Sequence, residues 1–288
     1  MKYLPERIFF LFFVVFALTF FPDSATRASE VDPTQRVRIA ECFNSPPSGI
    51  LLLQINDAFL GLAEAPPVWQ TLTAKTDAER RNLERASVVG VYDMVITSNE
   101  EYVESLRKQG LLRRVALIYA EHLLLVGPPE LSSKKKELSA KATMKKIFED
   151  EDLFFSSLDN DWVSGEEKKL WTQAGVARPY DNKNYVESGH DDIGLLIQAE
   201  EERGFALTGE ASFAQYLDMQ RYDPQLVVYA DTGVVRTAHV CLIVNSGYRK
   251  VRTEMADRYV DWLTSEVGAA LIDSFSLGAI APFRAVRE

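Results

Sequence analysis

Cysteine and histidine are scarce in this chain, whose 288 residues include only 2 Cys and 3 His. With His122, His190 and His239 alone available, a histidine-based catalytic triad or metal centre has few candidate residues. The sequence also lacks the Gly-x-Ser-x-Gly elbow, the phosphate-binding Gly-x-x-x-x-Gly-Lys loop and the His-Glu-x-x-His zinc motif. We therefore expect no catalytic activity and no resident metal or other cofactor.

Basic residues are outnumbered, with 32 Lys and Arg against 42 Asp and Glu. Nucleic-acid binding depends on basic patches that replace counterions, so the acidic balance argues against a nucleic-acid partner. A bound anion would have to be held by local dipoles and hydrogen bonds, because the overall field opposes it. The two cysteines, Cys42 and Cys241, either pair in an oxidising compartment or remain buried free thiols, and the sequence leaves both alternatives open.

The chain has one long apolar run, Ile8–Phe21, and no later segment is apolar enough to cross a bilayer. Lys2 and Arg7 precede the run and small residues follow it at 24–29, which is the pattern of a secretory signal peptide. We expect cleavage after Ala28, which would leave 29 basic and 40 acidic residues in a periplasmic protein. The alternative is that the segment is kept as an anchor.

Strand-like and helix-like segments alternate along the rest of the chain. This alternation predicts an α/β fold with a mainly parallel sheet and helices on both faces. Glycines at 110, 175 and 204 are expected to end helices. The predicted strands are 36–40, 88–97, 115–126, 153–157, 185–187, 205–208, 226–229 and 239–245, and the predicted helices are 50–63, 76–86, 99–109, 143–148, 166–174, 188–202, 211–219, 251–265 and 268–275.

Five short motifs, in this order and spacing, resemble those of the tungstate- and molybdate-binding proteins of ABC importers, within the type II periplasmic binding protein group. The resemblance covers nearly all of the chain after the apolar run. The motifs are Tyr92-Asp-Met-Val-Ile96, Leu124-Leu-Val-Gly-Pro-Pro129, Glu167-Lys-Lys-Leu-Trp171, Gly204-Phe-Ala-Leu-Thr208 and Asp261-Trp-Leu-Thr-Ser265.

The resemblance implies a two-lobed fold in which each lobe is a mainly parallel sheet flanked by helices. Two crossover strands, near Ile118–Leu125 and Val235–Leu242, would join the lobes. Lobe 1 would comprise residues 29–119 and 239–288, and lobe 2 would comprise residues 120–238. The protein would act as a monomer and deliver its ligand to an inner-membrane ABC permease.

The ligand loops depart from the family pattern. The first loop, Glu41-Cys-Phe-Asn44 followed by Ser45, stands where the family has a run of threonines, and Ser157 stands where it has an arginine. Arginine offers a fixed fork of donors that suits an oxyanion, so its loss matters. We expect the ligand to be held by side chains near strand ends and helix starts, namely Asn44, Ser45, Thr76, Ser156, Ser157, Thr208 and Arg236.

Several of these side chains have a structural alternative. Arg236 is as readily interpreted as a solvated surface arginine, and His239 is expected to be a buried, hydrogen-bonded structural residue. Trp162 either stacks on an organic ligand or packs in the core. Asp191 and Asp192 are expected to stabilise the start of a helix, or else they take up the positive helix end that an oxyanion would use.

The leading hypothesis is an extracytoplasmic solute-binding protein that closes over an oxyanion such as tungstate or molybdate by hinge motion. The alternatives are a binder of a small organic solute, and a diverged sensory or accessory module that keeps the fold.

Overall fold

A computed structural model describes residues 37–42, 46–62, 68–73, 82, 85–86, 91–134, 138–157, 162–190, 192–219, 225–243 and 253–287. All of them belong to one compact unit that begins at Val37. Among these residues, no helix is both long and apolar enough to cross a membrane. The predicted signal peptide lies outside the described residues.

Helices and strands alternate as the sequence predicts. In chain order, the described elements are β1 (Val37–Cys42), α1 (Pro46–Leu60), β2 (Val68–Thr73), β3 (Met94–Thr97), α2 (Glu100–Lys108), β4 (Leu112–Gly127), α3 (Ala140–Glu149), β5 (Phe154–Ser156), α4 (Trp162–Gln173), β6 (Tyr185–Glu187), α5 (Asp192–Glu201), β7 (Phe205–Gly209), α6 (Glu210–Met219), β8 (Val227–Ile243), α7 (Thr253–Leu263), α8 (Glu266–Ser274) and β9 (Arg284–Ala285). Two short 3₁₀ turns lie at Pro129–Lys134 and Pro179–Asp181.

The strands form one sheet in the order β2-β1-β3-β8-β4-β7-β5-β6, with β9 added to β4. Strand β1 runs parallel to β2 and β3, and β5 runs parallel to β6 and β7. The central pair β4 and β8 is antiparallel to its neighbours. Each end of the sheet is therefore a parallel set of three strands, and the two sets are joined by two long antiparallel strands.

The crossover lies where β4 and β8 leave one set and join the other. At one end, residues 239–242 of β8 pair with β3. At the other, residues 123–126 of β4 pair with β7. Between them, Tyr119–His122 pairs only with Val235–Ala238 of β8 and with β9 among the described strands. Irregular pairing at 117–119 and at 122–124 flanks this segment, so β-bulges mark both of its ends.

Separate hydrophobic cores lie at the two ends of the sheet. One end buries β1 and β3 beneath α1, α7 and α8, with Leu51, Ile55 and Tyr259 among its fully buried side chains. The other end buries the β5–β7 side beneath α3 and α4 on one face and α5 and α6 on the other. Leu125 and Leu124 of β4 point into these two opposite layers, as expected for neighbouring residues of a strand.

Local sequence explains where α2 begins and ends. The Asn99 side chain accepts a hydrogen bond from the Tyr102 N–H at 3.0 Å, which caps the first turn. Acidic residues occupy the first turn and basic residues the last, in agreement with the helix dipole. Gly110 follows with a φ of 69°, so the predicted glycine stop is confirmed.

Two predicted boundaries are wrong because a side chain or a glycine overrides the apolar pattern. The strand predicted at 88–97 is formed in its described part only from Met94, since Asp93 turns inward to pair with Arg38. The helix predicted from residue 188 begins at Asp192, because Gly189 has a φ of 69°. Gly204 was predicted to end this helix, but the residue with the left-handed backbone conformation after the helix is Arg203, with a φ of 59°.

The strands predicted at 226–229 and 239–245 form one continuous strand, β8. The intervening Asp231-Thr-Gly233 suggests a break in sequence, but the structure absorbs it as an irregularity in which Gly233 has a φ of 73°. Strand β2 was not predicted, and of the helix predicted at 76–86 only positions 82, 85 and 86 are described.

Candidate functional site

A buried ion pair occupies the crossover. Glu121 of β4 and Arg236 of β8 lie directly opposite each other in the strand pairing. The guanidinium donates to Glu121 Oε2 through Nε at 3.2 Å and also through Nη2. The side chain of Glu121 is fully buried and that of Arg236 is 10% exposed. The prediction that Arg236 lies at the crossover holds, whereas its interpretation as a solvated arginine is wrong.

The other oxygen of Glu121 lies at the N-terminus of α6. Its Oε1 accepts a hydrogen bond from the Ala211 N–H at 3.0 Å. Gly209 permits this approach, because a Cβ at that position would lie 2.5 Å from the same oxygen. The first amide groups of a helix lack partners within the helix and favour negative charge. The carboxylate therefore takes one donor from a helix end and two from Arg236.

Trp162, the first residue of α4, covers the guanidinium. The Arg236 Cζ lies 4.5 Å from the centre of the indole ring, which is the geometry of a cation–π contact. Burial acts to lower the pKa of Arg236, but Glu121, Tyr119 and Asp192 outweigh it, and the pKa is raised. Arg236 therefore stays charged. Of the two alternatives for Trp162, packing is the one observed, since the ring lies against the core of this end of the sheet as well as over the guanidinium.

Further polar groups surround the pair. Tyr119 lies two residues before Glu121, and burial raises the pKa of its hydroxyl, with Ser48, Arg236, Glu121 and Glu41 also acting on it. Glu41, at the end of β1, is 4% exposed. A Cβ at Gly49 would lie 3.7 Å from Glu41 Oε1, so this second carboxylate lies beside the first turn of α1.

Asp192 adds a third carboxylate to the surroundings of the pair. It is the first residue of α5, and its Oδ2 accepts a hydrogen bond of 2.7 Å from the Ser212 hydroxyl on α6. The predicted role for Asp192 in the first turn of a helix is confirmed. Its companion Asp191 lies outside the described residues. Glu121 of β4 and Asp192 of α5 thus act on Arg236, and Glu41 of β1 acts on the neighbouring Tyr119, so the described ionisable surroundings of the pair are mainly acidic.

Ser156 and Ser157, at the end of β5, are both 6% exposed. The Ser156 hydroxyl donates to Glu167 Oε2 at 2.9 Å, so its single hydrogen is already committed. Glu167 is 1% exposed and also accepts from Trp171 Nε1 at 3.2 Å and from the Tyr185 hydroxyl at 2.8 Å. An oxyanion needs hydrogen-bond donors, and the Ser156 hydroxyl already donates to Glu167. Ser156 therefore supports the packing of α4 on this end of the sheet and is not placed to bind an oxyanion.

The two serines border a cavity of about 590 Å³ between α4, β6 and the glycine turn at 189. Its walls combine apolar, aromatic and polar groups, with Lys168 and Glu187 as the charged ones. The lining residues include Ser156, Ser157, Lys168, Trp171, Tyr180, Tyr185, Glu187 and Gly189.

The predicted ligand residues thus fall into separate groups. Ser156 and Ser157 share one cavity, and Arg236 lies at the crossover. Thr208 is 1% exposed and its hydroxyl lies 3.4 Å from the Gly209 carbonyl oxygen, at the end of β7. The other three predicted residues lie outside the described residues: Asn44, Ser45 and Thr76.

Sequence reasoning missed Glu121, and it placed Glu41 in the first ligand loop without giving it a role in the site. A signal for Glu121 was present, since it is the only Asp, Glu, Lys or Arg in the apolar segment from Val115 to Val126. A charged residue in such a segment is seldom buried without a partner. His122, its neighbour, points elsewhere and lies 2.7 Å from Asp231 Oδ2 through Nδ1.

The two cysteines lie on different strands of the sheet, and His239 lies on the same strand as Cys241. Cys241 is a free, buried thiol whose pKa burial raises to about 12. Strand β3 separates Cys42 from Cys241, so their Cα atoms are about 9–10 Å apart or more, beyond the reach of a disulfide. His239 is only partly buried, and burial lowers its pKa.

Comparison with curated proteins finds tungstate-binding proteins, while no protein-family model matches the chain. The chain is 23% identical over 188 residues to the tungstate-binding protein TupA of Campylobacter jejuni, covering 64% of this chain and 69% of that protein. It is 26% identical over 168 residues to TupA of Peptoclostridium acidaminophilum, covering 57% of each chain. The resemblance found in the motifs is thereby confirmed.

Solved structures confirm the predicted fold class. The tungstate-binding protein TupA from Desulfovibrio alaskensis superposes with a TM-score of 0.75 at 19% identity, over 88% of this chain and 99% of that one. A tungstate ABC transporter structure from Geobacter sulfurreducens gives 0.65 at 18% identity, over 85% and 100%. Iron-bound HitA from Pseudomonas aeruginosa gives 0.62 at 13% identity, over 84% of each chain. At these identities the likeness establishes the two-lobed fold alone, which is shared by two tungstate proteins and by an iron-bound one.

Proposed function

We propose that this protein is the extracytoplasmic solute-binding component of an ABC importer, and that it captures a small oxyanion such as tungstate or molybdate. The observation that carries the proposal is the crossover itself. Two long strands join two separate cores, and a guanidinium lies buried at the segment between them. The tungstate-binding names of the curated relatives support an oxyanion as the ligand class.

In this proposal the two cores belong to two lobes, residues 29–119 with 239–288 and residues 120–238. The lobes close by bending at the bulges that flank Tyr119–His122, since irregular pairing bends more easily than a regular ladder. Residues 1–28 direct the chain to the periplasm, where the closed monomer meets an inner-membrane permease. The protein carries out no catalysis, and its ligand leaves unchanged.

We assign Arg236 as the main anion-binding side chain, because its planar guanidinium can donate two parallel hydrogen bonds to an oxyanion and its raised pKa keeps it positively charged. Ser157 is the proposed second-lobe donor. Asn44, Ser45 and Thr76 are the proposed first-lobe donors. Ser156 is proposed to stabilise the second lobe through Glu167, and Thr208 to line the site without donating to the anion.

Calorimetric titration of the purified, ligand-free protein with tungstate, molybdate, sulfate and phosphate tests the proposal. We expect one-to-one binding of tungstate or molybdate, and at least tenfold weaker binding after Arg236→Gln. The matched control is Asp93→Asn, which breaks a second arginine–carboxylate pair, between Arg38 of β1 and the buried residue just before β3, and should leave the affinity unchanged. Absence of binding by all four anions to the folded protein would overturn oxyanion capture.

A second candidate, a small organic solute, is favoured by the cavity beside Ser157. Its volume of about 590 Å³ and its aromatic wall suit an organic molecule better than a tetrahedral anion. Tyr180 lines this cavity and is 59% exposed, with the Arg178 Cζ 5.5 Å from its ring centre, so a ligand could stack only on the face of the ring that Arg178 leaves open. Thermal-shift screening of amino acids and small organic acids, repeated with Tyr180→Ala, separates this candidate from the first.

A further inference from the structure

The donors best suited to hold an anion at the crossover are already occupied by a carboxylate of the chain. Glu121 takes the Ala211 N–H at the start of α6 and both contacting nitrogens of Arg236. These are charge-assisted hydrogen bonds, the strong type that an oxyanion would also form. The carboxylate is fully buried, so water does not weaken the interaction.

We propose that Glu121 is an internal competitor that determines which ligands the crossover accepts. An incoming dianion must either replace Glu121 as the hydrogen-bond acceptor of Arg236 or bind next to the Glu121 carboxylate, which is shielded from water. Both routes are unfavourable, and Glu41 and Asp192 add charge of the same sign. This inference rests on the proposed function, because it concerns the same guanidinium.

The chain is built to keep Glu121 in place. Gly209 has no side chain where a Cβ would lie 2.5 Å from Glu121 Oε1. Trp162 closes the other face of the guanidinium, with the ring centre 4.5 Å from Cζ. Glu121 therefore contacts a backbone position that only glycine suits, and Arg236 has an aromatic cover. A surface ion pair formed by chance would need neither feature.

The surroundings of Glu121 decide which substitution is informative. Arg236, Tyr119 and Glu210 at the start of α6 all interact electrostatically with Glu121. Glu121→Gln keeps the shape and an acceptor for Ala211 while removing one negative charge. It leaves Arg236 free to pair with an external anion.

The experiment compares the wild-type chain with Glu121→Gln, the double variant Glu121→Gln/Arg236→Gln, and Asp93→Asn. Each folded variant is titrated calorimetrically with tungstate and with sulfate, and circular dichroism verifies folding. We expect Glu121→Gln to bind at least one of these anions tenfold or more tightly than wild type. The double variant should lose this gain, because the guanidinium is gone. Asp93→Asn should show no gain, since the pair that it breaks lies outside the crossover.

The outcomes separate the two proposals. Binding by wild type with no gain in Glu121→Gln overturns the competitor role and leaves oxyanion capture standing. Binding by Glu121→Gln alone supports the competitor role and overturns oxyanion capture by the natural chain. Absence of binding in both overturns both, and a gain that survives in the double variant also overturns the competitor role. If Glu121→Gln does not fold, Glu121→Asp is used: its shorter side chain weakens the hold on Arg236, so tighter anion binding is again expected and unchanged affinity counts against the proposal.

Discussion

Replacing Glu167 tests whether Ser156 supports the fold or binds ligand. Glu167 is 1% exposed and accepts hydrogen bonds from Ser156, Trp171 and Tyr185. Glu167→Ala would leave two buried donors, Ser156 and Trp171, and the half-buried Tyr185 hydroxyl without this acceptor, at about 1–3 kcal/mol for each buried donor and less for Tyr185. Allowing for partial relaxation, we expect the free energy of unfolding to fall by about 3 kcal/mol or more. Glu167→Gln keeps the shape, and the Ser156 hydroxyl can rotate to accept from the new amide, so its expected loss is only about 1–2 kcal/mol.

Urea unfolding followed by tryptophan fluorescence measures these losses. Trp171 is a suitable probe because it packs edge-on against Phe154, with ring centres 5.0 Å apart. Glu166→Gln is the matched control. Its carboxylate forms an ion pair of 2.7 Å with the exposed ammonium of Lys169, so the loss on substitution should stay below about 1 kcal/mol.

The same reasoning predicts the behaviour of Ser156 itself. Ser156→Ala should lower stability by about 1–2 kcal/mol, and it should cost less when Glu167 is already alanine, because the two residues share one hydrogen bond. Anion affinity should not change. Additive stability losses, or a tenfold loss of affinity in Ser156→Ala with stability unaltered, would refute the supporting role.

Three further outcomes are expected. Gly204→Ala places a Cβ 2.3 Å from the ring of Phe155, so urea unfolding should show a loss of about 1–3 kcal/mol, and an unchanged midpoint would contradict the packing. In a Cys42→Ala variant, Cys241 should react with a thiol reagent only after unfolding, because the thiol is buried and its pKa is raised to about 12; rapid labelling of the native protein would contradict this. Burial acts to raise the pKa of Asp273, but hydrogen bonds from the C-terminal segment outweigh it and the pKa is lowered. Its contribution to stability should therefore be complete above its unfolded pKa of about 3.9 and disappear as pH falls through the folded value, so the stability difference between wild type and Asp273→Asn should shrink below about pH 4 in urea titrations.

The order of elements was predictable because apolar periodicity and glycine stops are local signals. Strands β6 and β7 and helix α6 fall within one or two residues of their predicted bounds. The errors arose where a single side chain overrides the pattern. The Asp93 carboxylate accepts hydrogen bonds from the backbone N–H and the guanidinium of Arg38, which is 55 positions away in sequence, and no local window contains both residues.

The candidate site was less predictable for the same reason. The position of Arg236 at the crossover followed from the family resemblance, but its burial did not, because an arginine in an alternating strand suggests a solvent-facing side chain. Its partner Glu121 lies 115 positions earlier. The commitment of the Ser156 hydroxyl to Glu167 depends on how α4 packs over β5, which sequence spacing does not specify.

The place of the Glu121–Arg236 pair links ligand choice to lobe closure. Both residues lie on the segment between the two bulges, so any closure that bends there changes the geometry of this pair. Glu121 also holds the N-terminus of α6, and Ala211 of that helix packs into the core formed around β1 and β3. A ligand that draws Arg236 away from Glu121 would therefore leave the carboxylate with the Ala211 N–H of the adjoining helix as the one remaining donor of these three. It follows from the competitor role that Glu121→Gln should alter both anion affinity and the extent of closure measured by small-angle scattering. Asp93→Asn, whose pair joins Arg38 of β1 to the residue just before β3, away from the bulges, should alter neither.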